Sequence, residues 1–208
     1  ALDLTAQTSM QWAVAVQADV DAATIDARQK LQPEARKLWA ESGKVHAALA
    51  TATASESKYP DTVWTSAQHY ALGYAFKDAL AQAEEFIRAE PPQGVPRAYV
   101  FRGRMLMNLD RLNDAYGSFQ NVELNSPTDP SVFEARYRLG LCQLELNRPE
   151  DAERTWRAML NSDDLEPDAN EWRLAKFAIG QLLARQAGIE FRKSIPAEGI
   201  APTSEQLT

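Results

Sequence analysis

RGRMLMNLDRLNDAYGSFQNVELNSP (Arg102–Pro127) and LGLCQLELNRPEDAERTWRAMLNSDD (Leu139–Asp164) can be laid one over the other. Gly103 falls on Gly140, Ala115 on Ala152, Phe119 on Trp156 and Val122 on Met159, each at an offset of 37. Apolar residues at i, i+4 and i+7 place Ala115, Phe119 and Val122 on one helical face, and Ala152, Trp156 and Met159 likewise. Asp110-Arg111-Leu112-Asn113-Asp114 and Asn147-Arg148-Pro149-Glu150-Asp151 separate the two helices of each copy. They combine turn chemistry with a helix start: Pro149 suits a first turn, and acids favour the positive end of the helix. A fixed period of this length is the mark of stacked helical hairpins, each unable to bury both of its faces alone.

At this spacing the chain resembles the tetratricopeptide repeat (TPR). That family sets a small residue where two helices cross, an Ala twelve residues on, an aromatic four further, a small or apolar residue at seven, and a closing Pro. Gly103, Ala115, Phe119, Val122 and Pro127 follow this pattern, and Gly140, Ala152, Trp156 and Met159 follow it without the Pro. Ala67, Ala79, Ala83, Phe86 and Pro91, with Trp64, form a weaker copy upstream, and Phe177, Ile179 and Gly180 suggest a partial one downstream. The resemblance covers about residues 61 to 188. It departs from the family in a longer period and in Arg102, where a large apolar residue is usual.

The N-terminal part has a different texture. Trp12, Val16, Val20, Ala23, Ala27 and Leu31 recur at spacings of three and four, predicting one helix face. Pro33 is expected to end or restart that helix. Ala35, Leu38, Ser42, Val45, Leu49 and Ala52 predict a second helix, so that residues 1–55 read as a helical hairpin with an Ala-rich seam. Such a seam needs a third surface, either the rest of the chain or a second copy. Thr51 to Asp61 reads as a linker around Pro60. The expected organisation is all-α: an N-terminal helical hairpin (1–55), a TPR-like solenoid of about three repeats (61–190) and an extended C-terminal tail (191–208). The tail, with two prolines and no helical period, is a second possible contact element.

Composition narrows the function. The 208 residues carry a net charge of −7, which argues against a broad nucleic-acid surface. No apolar run is long enough to span a membrane; the longest uncharged stretch, Leu4 to Ala18, is broken by Thr, Gln and Ser. Cys142 is the single cysteine, which excludes an intramolecular disulfide and a multi-thiolate zinc site. It reads as a small buried hydrophobe. His46 and His69 lie on different predicted helices without ligands at metal spacing, and read as solvated or half-buried. Glu84-Glu85, Glu150-Asp151 and Asp163-Asp164 are adjacent acids that face apart and do not form an acid–base pair. Neither a phosphate loop nor a nucleophile–base motif is present. The expectation is a non-enzymatic protein without cofactor or metal. The sequence opens on Ala, as after signal-peptide cleavage or at a cut boundary; an exported, periplasmic location is expected, with the cytoplasm as the alternative.

In the family, the first helix of each repeat lines a concave groove. The resemblance therefore implies groove-facing positions: Arg97, Val100, Arg104 and Asn108 in one repeat; Glu134, Tyr137, Arg138 and Leu141 in the next; Phe177, Gln181 and Arg185 in the last. The partner-binding residues expected are Arg97, Arg104, Asn108, Tyr137, Arg138, Gln181 and Arg185. Arginine pairs with carboxylates through two parallel hydrogen bonds, so the expected partner is a protein segment with acidic residues or a free C-terminus. The competing reading pairs these arginines with local acids, Glu134 being one turn from Arg138. The function expected is that of a scaffold or adaptor similar to bacterial envelope TPR proteins. The alternative is a permanent structural or accessory subunit, with self-association through the N-terminal hairpin.

Overall fold

The structure is a computed structural model that describes residues 1–91 and 93–194. The described residues contain nine helices and no strand: α1 (Leu2–Ala22), α2 (Ile25–Ala52), α3 (Tyr59–Leu72), α4 (Phe76–Arg88), α5 (Val95–Asn108), α6 (Leu112–Asn125), α7 (Ser131–Glu145), α8 (Pro149–Leu160) and α9 (Asn170–Ser194). The fold is all-α with a helical-repeat architecture, as the sequence predicts. The chain forms two compact units, Ala1–Val132 and Phe133–Thr208. In the first, α1 to α6 pack in sequence, each helix on the next. In the second, the part of α7 from Phe133 onward joins α8 and α9 around one core. The expected tail from residue 195 onward lies outside the described residues.

The repeat is visible in the backbone as well as in the side chains. Tyr74, Asp110 and Asn147 follow α3, α5 and α7 and take φ of 59°, 58° and 59°, the left-handed conformation, at intervals of 36 and 37 residues. Each is followed by an amide that reaches back five residues: Ala75 to the Tyr70 carbonyl, Arg111 to Leu106, and Arg148 to Gln143, at 2.9, 2.9 and 2.8 Å. The left-handed residue's own amide bonds three back, to Ala71, Met107 and Leu144. This pair of bonds closes a helix C-terminus and satisfies its orphan carbonyls. Asn and Asp tolerate the left-handed region; a tyrosine there is uncommon.

Between the helices of a hairpin, a ring lies on a position that has no Cβ. A Cβ built on Gly103 would stand 2.4 Å from Phe119 Cε1, and one on Gly140 would stand 2.2 Å from Trp156 Nε1. Both rings are fully buried. Glycine inside a helix costs about 0.5–1 kcal/mol against alanine, whereas deleting a buried Phe or Trp side chain costs about 3–5 kcal/mol. The close crossing therefore repays the glycine. Trp156 Nε1 also donates to the Tyr137 carbonyl at 2.9 Å, which satisfies the indole N–H in the core. In the first hairpin the matching pair is Ala67 and Ala83, both fully buried, and the aromatic mass shifts to Trp64, which packs on Phe86 and Phe101 with ring centroids 5.0 and 5.1 Å apart. Arg102, at the position where the family has a large apolar residue, is half-buried. Its Nε bonds Glu84 Oε1 at 3.1 Å and its Nη1 bonds Ser118 Oγ at 2.6 Å, so a polar clip ties α5 to α4 and α6.

Two expectations for the N-terminal hairpin are corrected. The break between its helices falls at Ala23–Thr24, and Pro33 lies inside α2. Thr24 is extended at φ −62°, ψ 163° and Asp26 occupies the first turn of α2, which sets the helix start at Ile25, well before Pro33. Pro33 is exposed, and it costs one backbone bond among the many of a 28-residue helix. The buried face of α1 matches the predicted one only in part: Ala6, Ala13 and Val20 are buried at seven-residue steps, so the predicted Val20 is in the seam while the predicted Trp12 is 64% exposed. Small side chains let α1 approach α2 closely, and Trp12 lies about 100° around the helix from Ala13. The α1 carbonyls of Val20 and Asp21 accept from Arg28 Nε and Nη2 at 3.1 and 3.0 Å. In α2 the buried residues are Ala35, Trp39, Ser42, Gly43, His46, Leu49 and Ala50, a face broader than the predicted seam.

The crossing geometry predicts opposite effects for two Gly→Ala changes. Gly140→Ala should destabilise the protein by about 1–3 kcal/mol through overpacking on Trp156. Gly117→Ala, where nothing lies within 4 Å of the added methyl, should be neutral or stabilise it by up to ~1 kcal/mol. Urea unfolding of the two variants checks both signs.

Candidate partner-binding surface

α5 is enclosed on almost every side. Ala98, Val100, Phe101, Gly103, Met105 and Leu106 are buried, Val95, Pro96, Tyr99, Arg102 and Met107 are partly exposed, and the most exposed positions form one stripe, Arg97, Arg104 and Asn108, at steps of seven and four. What this helix displays to solvent is mainly what that stripe carries. Here that is two guanidinium groups and an amide. The Arg97 guanidinium carbon stands 5.0 Å from the Trp64 ring centroid, a cation–π contact that limits where the head group can go. Asn108 Nδ2 donates to the Arg104 carbonyl at 2.8 Å. Val100, expected beside them in the groove, is 1% exposed and belongs to the core.

In the second unit the expected residues divide. Tyr137 is half-buried against the core of Ala152, Trp156, Met159 and Ile179, its ring centroid 6.3 Å from that of Trp156. Arg138 Nε bonds Glu134 Oε1 at 2.7 Å, with both side chains about a quarter to a third exposed. This is the local pairing that the sequence offered as the competing reading for Arg138. On α9, Gln181 and Arg185 are exposed one turn apart, and Phe177, a turn before Gln181, is 65% exposed. The structure thus brings Arg97, Arg104 and Asn108 together on α5 and Phe177, Gln181 and Arg185 together on α9. Tyr137 and Arg138 are engaged within their own unit.

A cleft of about 660 Å³ in the first unit has no counterpart in the sequence reading. Its lining includes Ala47, Thr51, Val63 and Ala81 together with Tyr59, Glu85 and Arg88. The Tyr59 hydroxyl donates to Glu85 Oε1 at 2.5 Å, and Arg88 also pairs with Glu85. That hydrogen bond, with burial, raises the Tyr59 pKa. Glu84 turns away to Arg102, so the two adjacent acids serve different partners.

His46 and His69, expected to be solvated or half-buried, are 8% and 7% exposed and face each other with ring centroids 4.7 Å apart. The close packing of α2 on α3 carries both rings inward: a Cβ on Gly43 would meet the Tyr70 ring at 2.8 Å, and one on Gly73 would meet the Ala40 amide nitrogen at 2.5 Å. Two histidines 23 residues apart, each among Ala and Ser, give no sequence signal that they meet. No group of three or more His, Cys, Asp or Glu able to hold a metal occurs among the described residues. No helix among them is long and apolar enough to cross a membrane.

Cys142 is fully buried, and burial pushes its thiol pKa up to about 11, partly countered by Arg138. The thiolate is the reactive form. A thiol-specific disulfide reagent at pH 8 should therefore leave the native protein unmodified for hours and react with one equivalent at once in denaturant. Rapid native reaction would contradict the placement of this residue.

No family model matches the chain, and no curated protein sequence matches it.

Proposed function

We propose that this chain is a non-catalytic, TPR-like adaptor that holds a partner protein by an acidic or carboxylate-bearing segment. The observation that carries this reading is the α5 stripe: a helix that buries six residues in the core is most exposed along Arg97, Arg104 and Asn108. Two arginines in an acidic protein, held on a rigid helix, suit bidentate binding of carboxylates. A rigid scaffold also lowers the ordering cost of binding an extended segment. The hairpin repeat supports a TPR-like assignment through the left-handed turn residues and the glycine–ring crossings. On α9, Phe177, Gln181 and Arg185 form a second patch of mixed apolar and cationic character.

A second reading, a permanent subunit of a larger assembly, is favoured by one observation. The first helix exposes Leu4 at 69% and Trp12 at 64%, with no charge between Leu4 and Ala18, and Ile25 next to it is 77% exposed. Large exposed apolar residues grouped on neighbouring helices mark interaction surfaces. Affinity isolation from the native source separates the two readings, with wild type, Arg97→Glu/Arg104→Glu and Trp12→Glu as baits. The adaptor reading predicts a partner whose recovery falls at least tenfold with the arginine variant and weakens between 50 and 300 mM salt. A partner indifferent to the arginines and to salt but lost with Trp12→Glu would replace it with the permanent subunit.

A further inference from the structure

Three helices of the first unit meet at a buried polar cluster in which almost every hydrogen-bonding group is a neighbour's partner. Ser42 on α2 is the hub. Its Oγ lies 3.1 Å from His69 Nδ1 on α3 and 3.3 Å from Ser9 Oγ on α1. The Ser42 carbonyl accepts from His46 Nδ1 at 2.8 Å, which fixes the His46 proton on that nitrogen. Ser66 Oγ on α3 donates to the Gly43 carbonyl at 2.7 Å. Ser42 and Ser66 are fully buried, and the Trp39 ring, 7% exposed, closes the cluster 4.9 Å from His69. The indole N–H of Trp39 is itself buried without an acceptor, so the cluster already holds a surplus of donors.

Such a site accommodates neutral imidazoles and not imidazolium. A proton added to His69 makes both of its nitrogens donors, facing a second ring 4.7 Å away. The surrounding charged residues do not compensate. On α1, Asp3, Asp19 and Asp21 are exposed near the helix ends. On α2, Arg36 is half-buried with its guanidinium over the Tyr74 ring, and Lys37, Glu41 and Lys44 are exposed; on α3, Asp61 is; on α4, Lys77 and Asp78 are, while Glu84 and Glu85 are engaged by Arg102, Tyr59 and Arg88. Of all these groups, His46 alone acts on His69 electrostatically, and it disfavours the charge. The α1–α2 hairpin meets the rest of the unit along the packed face of α2 on α3, where this cluster lies, and through the turn at residues 53–58.

We propose that the His46–His69 pair is an acid-sensitive latch, holding the α1–α2 hairpin on α3 at neutral pH and releasing it as the surroundings acidify. Burial, then His46, lowers the His69 pKa from its ordinary 6.5 to about 4 in the closed form. With the hairpin open, the ring takes its proton near 6.5. The open form therefore binds more protons throughout pH 4–6.5, so closure weakens as pH falls through that window and is constant above and below it. One pK unit is tenfold, so the closed-to-open ratio should fall on the order of tenfold between pH 7 and pH 5. Opening would uncover Trp39, Leu49 and Ala50 on α2.

Hydrogen exchange of the full chain at pH 7, 6 and 5, corrected for intrinsic rates, tests this. The expected result is a roughly tenfold loss of protection in α1, α2 and α3 with none in α8 and α9, abolished by His69→Gln, which can still bond Ser42 but cannot charge. Protection in α1–α3 that tracks α8 and α9 at every pH, or an equal acid loss in His69→Gln, overturns the latch. If His69→Gln does not fold, the wild type supplies the readout, because these are the only two histidines in the chain. A midpoint near 6.5 for the His69 ring Cε1–H resonance overturns the proposal, as does a midpoint near 4 without loss of protection.

Discussion

The structure depends on how closely two helices of a hairpin can approach. A ring set on a helix position without a Cβ brings the axes together, removes the largest side chain of the hairpin from water, and leaves no room for the glycine to be anything else. Phe119 on Gly103 and Trp156 on Gly140 solve this problem in the same way, 37 residues apart. The left-handed turn residues Asp110 and Asn147 follow from that solution. Seven residues beyond each glycine the helix must stop and reverse to bring the aromatic back, and the two amides closing the C-terminus make that reversal without leaving carbonyls unsatisfied. The α5 stripe is a further consequence. A helix crossed closely by neighbours keeps only a narrow line of exposed positions, so a few residues define its contact chemistry.

What could be read from the sequence follows the same physics. The glycine–aromatic pairs were legible because both residue types are rare in helix interiors unless geometry demands them, and their spacing repeats. The turns at Asp110 and Asn147 were legible because Asp and Asn suit the left-handed region. The equivalent turn at Tyr74 was hidden by a residue that does not advertise such a conformation, and the small pair Ala67/Ala83 obscured the first crossing. The N-terminal helices misled for a related reason. Where the seam is alanine, apolar periodicity does not distinguish the packed face from its neighbour, and a tryptophan draws the assignment toward itself. Trp12 is exposed while Ala13 beside it is buried.

The candidate surface was legible in part. Arg97, Arg104 and Asn108 share the exposed stripe that the repeat frame projects, because the frame is anchored by Gly103 within the same helix. Arg138 was correctly placed on α7, but its chemistry was decided by Glu134 one turn away. The buried histidines were not legible, since nothing in either helix alone indicates a partner on the other. Residues whose role is set within one helix turn were readable; those whose role is set across helices were readable only where a repeat supplied the alignment.

A double-mutant cycle on Gly103 and Phe119 tests most directly whether a ring seated on a missing Cβ organises the α5–α6 hairpin, as its counterpart does in α7–α8. Gly103→Ala should destabilise the wild type by about 1–3 kcal/mol. In the Phe119→Ala background, where the methyl has space, it should be neutral or stabilising, giving a coupling above about 1 kcal/mol. The same change in stability in both backgrounds would mean that ring and glycine do not interact, and that the crossing is held by something else.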